Sequence, residues 1–404
     1  MKSQFWSSNK LKEYQFDALY NLLNHAYSNC EYYRKLFDDS HIRPQDIKSL
    51  QDIKKIPSTN KKKVLDNKDK IQNHINRQKH FYSETSGSTG EPLVFFRNQD
   101  WDAWHNASVL RGYSWYGINP WDRNGYLWGY NISLMRSFVI KIQDMLQNRF
   151  RLFTYEHDDI KKFCIKLKKA KFISGYSSMI YEIAKYIENE SSFKNHINLK
   201  LIKGTSEKIY DSYQNAIRNA FGKKMISEYG AAEAGIIAFE CPDGNMHINM
   251  ETVIVEEVNG KILVTNLTSH SFPIIRYELG DYIVLDEKTL CTCGRKSTLL
   301  NEVTGRIGKK IYGKYNHYPS LTLYYVFKNI AINNEIVLNY QVIQRKQGHI
   351  KILIESKLTE HEKECLDAEL VKYFKNDIEY DILEEQTFLN KNGKRRDFIS
   401  EIVE

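Results

Sequence analysis

The 404-residue chain contains no run of about 18 apolar residues, the length at which a segment reads as membrane-spanning, so no membrane span is expected. Its opening stretch, MKSQFWSSNKLKEYQFDALY, lacks the apolar core of a secretory leader. Both absences predict a cytoplasmic protein. The six cysteines are then unsuited to structural disulfides and need another reading. There are no internal repeats and no low-complexity segment. The net charge of +8 is mild for this length: it favours anionic ligands such as nucleotides without requiring nucleic acid. Glycine is sparse, with 20 residues in the chain. That makes one glycine- and hydroxyl-rich run, YSETSGSTGEPLVFF at 82–96, stand out. It is no Walker A loop, because Gly-Lys-Ser/Thr does not follow.

What is present suits a folded protein of two or three domains, with 42% hydrophobic and 27% charged residues. Residues 11–37 have apolar positions at helical spacing and predict one or two amphipathic helices, with Asp46 and Ser49 as caps and Pro57 as a breaker downstream. Lys61, Lys62 and Lys63 read as a solvated helix start. From 92 to 205 short apolar strands (PLVFFRN, KFISGY, LKLIKGT) alternate with helical stretches, which predicts a layered α/β domain. From 246 the texture becomes strand-rich, with Asn259-Gly260 as a hairpin turn. TGRIGKKIYGKY, near 305, marks a boundary to a small α+β unit. The expected division is 1–305, with a β-rich part at 240–300, and 306–404.

Five constellations could carry chemistry. The run Thr85, Ser86, Gly87, Ser88, Thr89, Gly90 can wrap an anion with backbone N–H groups and hydroxyls, or be a plain turn. Its hydroxyls are expected to be exposed. In EYGAAE, 228–233, a carboxylate beyond a glycine turn can hold Mg²⁺ against phosphate oxygens, or simply complement a helix dipole. In RYELGD, 276–281, Asp281 can accept ribose hydroxyls. Gly305-Arg306 and the NKNGKRRDF segment with Lys394 complete the set. Aromatic side chains at Trp101, Trp104, Tyr126, Trp128, Tyr130 and Tyr176 could line a pocket or belong to the core. Cys241, His247, Cys291 and Cys293 form a C-x5-H … C-x-C set that suits tetrahedral zinc, or are four unrelated turn residues. Cys30, Cys164 and Cys365 read as half-buried helix residues.

In order and spacing these motifs resemble the adenylate-forming superfamily of acyl- and aryl-CoA ligases, over nearly the whole chain. LLNHAYSNCEYYRKLF, DIKSLQDIKKIPSTNKK and CTCGRKSTLLNEVTGRIG are similar to the phenylacetate–CoA ligase branch, including its relatives from capsular-polysaccharide loci. The resemblance implies an N-terminal ATP- and acyl-binding domain followed by a mobile C-terminal lid. It implies that a carboxylic acid attacks the α-phosphate of ATP, pyrophosphate leaves, and the acyl-adenylate passes to CoA. By the same resemblance Thr85–Gly90 hold the β- and γ-phosphates, Glu233 ligates Mg²⁺, and Asp281 holds the ribose with Arg306 near it. Gly204, Thr205, Ser206 and Glu207 line the adenine side, Tyr229 and Gly230 lie at the base, and Lys394 bridges α-phosphate and carboxylate. Tyr130 and Tyr176 are acyl-pocket candidates. The cysteine–histidine set matches positions where some relatives carry structural zinc. The chain departs from the family pattern in YGAAEAG, which has no hydroxyl before the glutamate, and in IGKK after Arg306.

Two other readings stand beside this one: adenylation with an amine, sugar or other non-CoA acceptor, and a non-catalytic zinc-stabilised binding module. Intact Glu233, Asp281 and Lys394 argue against the module. A homodimer is compatible with the resemblance.

Overall fold

In the computed structural model, residues 2–73, 79–85, 92–127, 134–152, 157–190, 192–193, 196–206, 209, 211–304, 310–334, 336, 338–386, 390–391, 394–395 and 397–402 are described. They divide into two compact units, each assembled from separated stretches of chain. One comprises residues 1–85, 93–119 and 226–305; the other comprises 86–92, 120–225 and 306–404.

The first unit is built on seven antiparallel strands. In spatial order they are Val253–Val258, Lys261–Asn266, Tyr277–Asp286, Leu299–Thr304, Met246–Ile248, Gly235–Glu240 and Ile226–Ala231. Asn259 (φ 53°) and Gly260 (φ 75°) are both left-handed, the type I′ geometry that a two-residue hairpin demands, so the expected turn forms there. Helix Ser8–Asn29 buries Leu11, Gln15, Leu19, Leu22 and Ala26, spaced three or four apart as an amphipathic face requires. Ser7 caps it by accepting from Lys10 N (3.3 Å). Helix Glu31–Asp39 follows, so the predicted pair of helices is present. Ser49 stands at the N-cap of the short helix Leu50–Lys55, Asp46 accepts from Arg43 N (2.7 Å) at the turn Pro44–Asp46, and Asn60 caps helix Lys61–Asp66. Tyr33, Phe37, Phe95, Trp101, Phe272 and Tyr277 lie in this unit's core.

In the second unit, strands Arg149–Arg151, Asn124–Leu127, Phe172–Tyr176 and Leu201–Thr205 form a parallel sheet in that order. Phe172–Tyr176 is buried along its whole length, as a strand covered on both faces must be. Helices Leu134–Leu146, His157–Leu167, Ser177–Asn189 and Asp211–Phe221 accompany it. Residues 311–398 contribute a separate core and a second sheet, ordered Glu379–Leu383, His349–Ile354, Tyr340–Lys346, Phe398–Ser400. Helices Leu321–Asn333 and Glu360–Phe374 pack on each other, the latter opened by a Thr359–Glu362 capping box. The α/β class expected from the sequence is the one observed.

Candidate active site

Two of the sequence motifs meet in the first unit. Strand Ile226–Ala231 ends in the EYGAAE turn, and strand Tyr277–Asp286 carries the end of RYELGD. The Tyr229 hydroxyl donates to Asp281 Oδ2 at 2.9 Å. Reciprocally, the Tyr277 hydroxyl donates to Glu233 Oε1 at 3.1 Å. Each motif thus supplies the tyrosine that orients the other's carboxylate. Glu233 is 7% exposed, and its main-chain oxygen accepts from Asn266 Nδ2 (3.1 Å), so its backbone is held as well. Each phenol fixes one oxygen of the carboxylate it serves, so each side chain is positioned by the other motif. A buried carboxylate with a free lone pair suits a hard cation; a half-exposed one beside a phenol suits a diol.

The local sequence explains the shape. A Cβ on Gly230 would stand 2.6 Å from Gly235 O, so only glycine fits where the turn folds back on itself. Gly230 is therefore needed for the turn before any ligand is considered. Arg276 is left-handed (φ 46°), and its guanidinium grips Glu256 through two bonds (2.9 and 3.0 Å) and the main-chain oxygens of Lys54 and Ile56. It anchors the strand that presents Tyr277 and Asp281. Tyr277 and Arg276 are roles that reading the motifs one by one misses; the signal was a tyrosine in each.

Thr85 is 4% exposed, which corrects the expectation of a solvent-facing hydroxyl there. Its N–H donates to Leu93 O (3.0 Å), and its Oγ1 accepts from Leu93 N (3.2 Å). Burial follows because this residue closes the mouth of the hairpin Phe81–Glu84/Val94–Arg97. Ser86, Gly87, Ser88, Thr89 and Gly90 lie outside the described residues, as do Glu207, Arg306, Trp128 and Tyr130.

In the second unit, Gly204 and Thr205 end strand Leu201–Thr205. A Cβ on Gly204 would meet Ser177 Oγ at 2.5 Å, so this glycine serves close packing. Ser206, exposed and left-handed (φ 67°), continues from it. Lys394 starts the two-residue strand Lys394–Arg395, paired with Asn390–Lys391. Tyr176 is 2% exposed, and its hydroxyl lies 3.0 Å from that of Tyr325. Trp101 stacks on Phe95 (5.4 Å) in the core, whereas Trp104 is exposed and Tyr126 lies under the Arg149 and Arg151 guanidinium groups.

The cysteine–histidine set does converge. Donor atoms of Cys241, His247, Cys291 and Cys293 all lie within 4.8 Å of one another. Cys241 Sγ and Cys291 Sγ are 3.7 Å apart, and Cys293 Sγ is 3.3 Å from His247 Nε2. A tetrahedral ion with bonds of about 2.3 Å to sulfur separates two sulfurs by about 3.8 Å, so the spacing fits. Cys241 directly follows strand Gly235–Glu240, His247 lies in the neighbouring strand Met246–Ile248, and the turn closed by Gly294 N→Cys291 O (3.2 Å) presents the C-x-C pair. His247 Nδ1 is 3.0 Å from Ser297 Oγ, which leaves Nε2 for a ligand. Burial, with Arg295 and Arg111 nearby, pushes His247 down to about 4 and keeps it neutral, the metal-binding form. Burial pushes the Cys241 thiol up to about 12 in the metal-free protein. Cys30 and Cys164 are buried and Cys365 half-buried, so the first two are deeper than expected.

No family model matches the chain. In sequence it is 23% identical over 322 residues to protein CapK of Staphylococcus aureus, covering 74% of this chain and 67% of that one. It is 24% identical over 402 residues to the phenylacetate-coenzyme A ligase of Escherichia coli (strain K12), covering 89% and 86%. In structure it resembles a 2-hydroxyisobutyryl-CoA ligase solved with 2-HIB-AMP and CoA: TM-score 0.68, 17% identity, 99% of this chain and 93% of that one covered. The chain thus has the fold of the adenylate-forming acyl-CoA ligases, and by sequence it is a relative of the phenylacetate-coenzyme A ligases and CapK.

Proposed function

We propose that the protein activates a carboxylic acid with ATP, releasing pyrophosphate, and passes the resulting acyl-adenylate to coenzyme A. The observation that carries this reading is the reciprocal Tyr229–Asp281 and Tyr277–Glu233 pairing, which fixes two carboxylates of different exposure in one unit. Asp281 binds the ribose and Glu233 binds Mg²⁺, which offsets charge on the phosphate oxygens when bound. Tyr229 and Tyr277 orient these groups before substrate arrives, which lowers the reorganisation needed in the transition state. Residues 85–90 cradle the terminal phosphates, Gly204–Glu207 and Gly230 border the adenine, and Arg306 lies near the ribose. Tyr176, with Tyr130, borders the acid. Lys394, on a mobile lid of residues 306–404, serves the α-phosphate and the attacking carboxylate. Structural zinc is held by Cys241, His247, Cys291 and Cys293, whose donor spacing supports it. The protein acts in the cytoplasm; among the described residues no helix is long and apolar enough to cross a membrane.

The test is pyrophosphate release from ATP across a panel of carboxylic acids, with and without CoA. Release with some acid, and thioester formation when CoA is added, are expected. Release without thioester, rescued by an amine or a sugar, would move the reading to a non-CoA acceptor. No release with any acid would overturn adenylation itself.

A further inference from the structure

The four parallel strands of residues 120–225 all begin at one edge, opposite the edge where Tyr176 and Thr205 end theirs. At the starting edge cations line up on successive strands: Lys200 N donates to Lys171 O (2.6 Å) and Lys171 N to Arg123 O (2.8 Å). Arg149 opens the fourth strand in register with Asn124, but its guanidinium lies over Tyr126 (4.2 Å) and that of Arg123 over Phe150 (5.1 Å), so the exposed cations of the row are Lys169, Lys171 and Lys200. Exposed Lys169 stands two residues before Lys171, on the loop from helix His157–Leu167. Asp122 lies between Trp121 and Arg123, and Asp144 stands 3.9 Å from Arg149.

Beside this row lie large apolar side chains in solvent. Trp121 is 71% exposed, Met145 71% and Leu146 79%. They are neighbours: Asn148 N donates to Met145 O and Asn148 Nδ2 to Trp121 O, both at 3.1 Å. Val139 and Ile142, also exposed, extend the stripe up helix Leu134–Leu146 at helical spacing. The helix is not free to roll this face inward. Asp144, on its other side, is 5% exposed and gripped by Arg151 through two 3.0 Å bonds.

We propose that this edge docks on an anionic lipid surface, with Trp121, Met145 and Leu146 entering the headgroup–acyl boundary and the cationic row meeting lipid phosphates. Charge complementarity selects the occupant. A nucleic acid would satisfy the cations and leave the aliphatic stripe in water. A second copy would set one cationic row against another. An anionic bilayer satisfies both halves at once: tryptophan partitions to the interface, aliphatic side chains enter beneath it, and lysine and arginine are drawn to the negative surface. Docking here leaves the opposite strand ends clear.

The test is co-sedimentation of the full chain with vesicles of phosphatidylglycerol and phosphatidylcholine against pure phosphatidylcholine. Retention on the anionic vesicles, about tenfold weaker on the neutral ones and reversed by about 0.5 M NaCl, is expected. Trp121→Ser/Met145→Ser/Leu146→Ser and, separately, Lys171→Glu/Lys200→Glu should each lower retention about tenfold with melting temperature unchanged. Should a variant fail to fold, quenching by brominated lipid in the native chain against Trp121→Phe provides the same decision. The proposal is overturned by no retention on anionic vesicles at low salt, or by retention that both variants keep. A dimer that only the triple serine variant dissolves would assign the face to a second copy instead. Equal binding to duplex DNA, insensitive to the triple variant, would assign it to nucleic acid.

Discussion

At the scale of single residues, the paired tyrosines decide more than the carboxylates they serve. Tyr229→Phe removes the hydroxyl that donates to Asp281 and keeps the ring. A hydrogen bond to a charged group contributes about 1.5–3 kcal/mol, so ATP-dependent turnover should fall about 10–100-fold with little change in melting temperature. Kinetics with varied ATP, beside a thermal melt, separate the two effects. Thr85→Ala should behave differently. Its buried hydroxyl accepts from Leu93 N, so loss should destabilise by about 1–3 kcal/mol, while Thr85→Ser should restore stability. A denaturant titration of the three proteins checks this; equal midpoints would show the hydroxyl to be idle. Motif chemistry was readable here because residue type limits what a side chain can do. The tyrosine cross-links were not, because each joins residues more than forty positions apart.

At the scale of elements, local rules carried well where the pattern was local. Asn259-Gly260 makes its hairpin, and Gln99–Ser114 and Ser177–Asn189 are helices where apolar spacing demanded them. Helices Leu134–Leu146 and Leu321–Asn333 escaped that reading. The first shows a mostly apolar face to solvent, and the second sits in an aromatic-rich run without the polar alternation that marks an amphipathic face. Strand order escaped it altogether, since pairing is set by contacts far apart in the chain. One buried ion pair ties helix Gln99–Ser114 to the turn after Met246–Ile248: Arg111 Nη1 to Glu251 Oε1 at 2.5 Å. Burial alone would raise the Glu251 carboxyl, but the Arg111 charge and its hydrogen bond bring it below the usual 4.5. A lowered acid stabilises above its unfolded value and loses that stabilisation as pH falls through the folded one. The melting temperature should therefore drop on acidification below pH 4.5, and Glu251→Gln should flatten that drop while lowering stability at neutral pH. The proposed zinc centre makes a second element-scale prediction. Purified protein should hold about one zinc per chain, and Cys291→Ser/Cys293→Ser should unfold at lower temperature rather than only slow turnover. Metal analysis without zinc, after growth in zinc-replete medium, would sink it.

At the scale of the molecule, the proposed lid separates two half-reactions. Lys394 lies almost at the end of the chain, within a stretch of the second unit, 311–398, that has its own core. If it serves only adenylation, Lys394→Ala should lose on the order of 10²–10³ in ATP-dependent turnover yet still consume a supplied acyl-adenylate. Equal loss in both steps would argue for a fixed site. The interleaved connectivity described for the two units has a temporal consequence. Helix Ser8–Asn29 reaches its partner strand through Gln15 Nε2→Val253 O, and Tyr33 bonds Pro273 O, spans of 238 and 240 residues. A ribosome adding about 5–20 residues per second leaves those helices without their docking surface for roughly 10–50 s. During that interval Leu11, Leu19 and Leu22 face water or a holdase. Nascent chains arrested before residue 253 should accordingly be protease-sensitive at the N-terminus, and become protected only once the strands beyond it have left the exit tunnel.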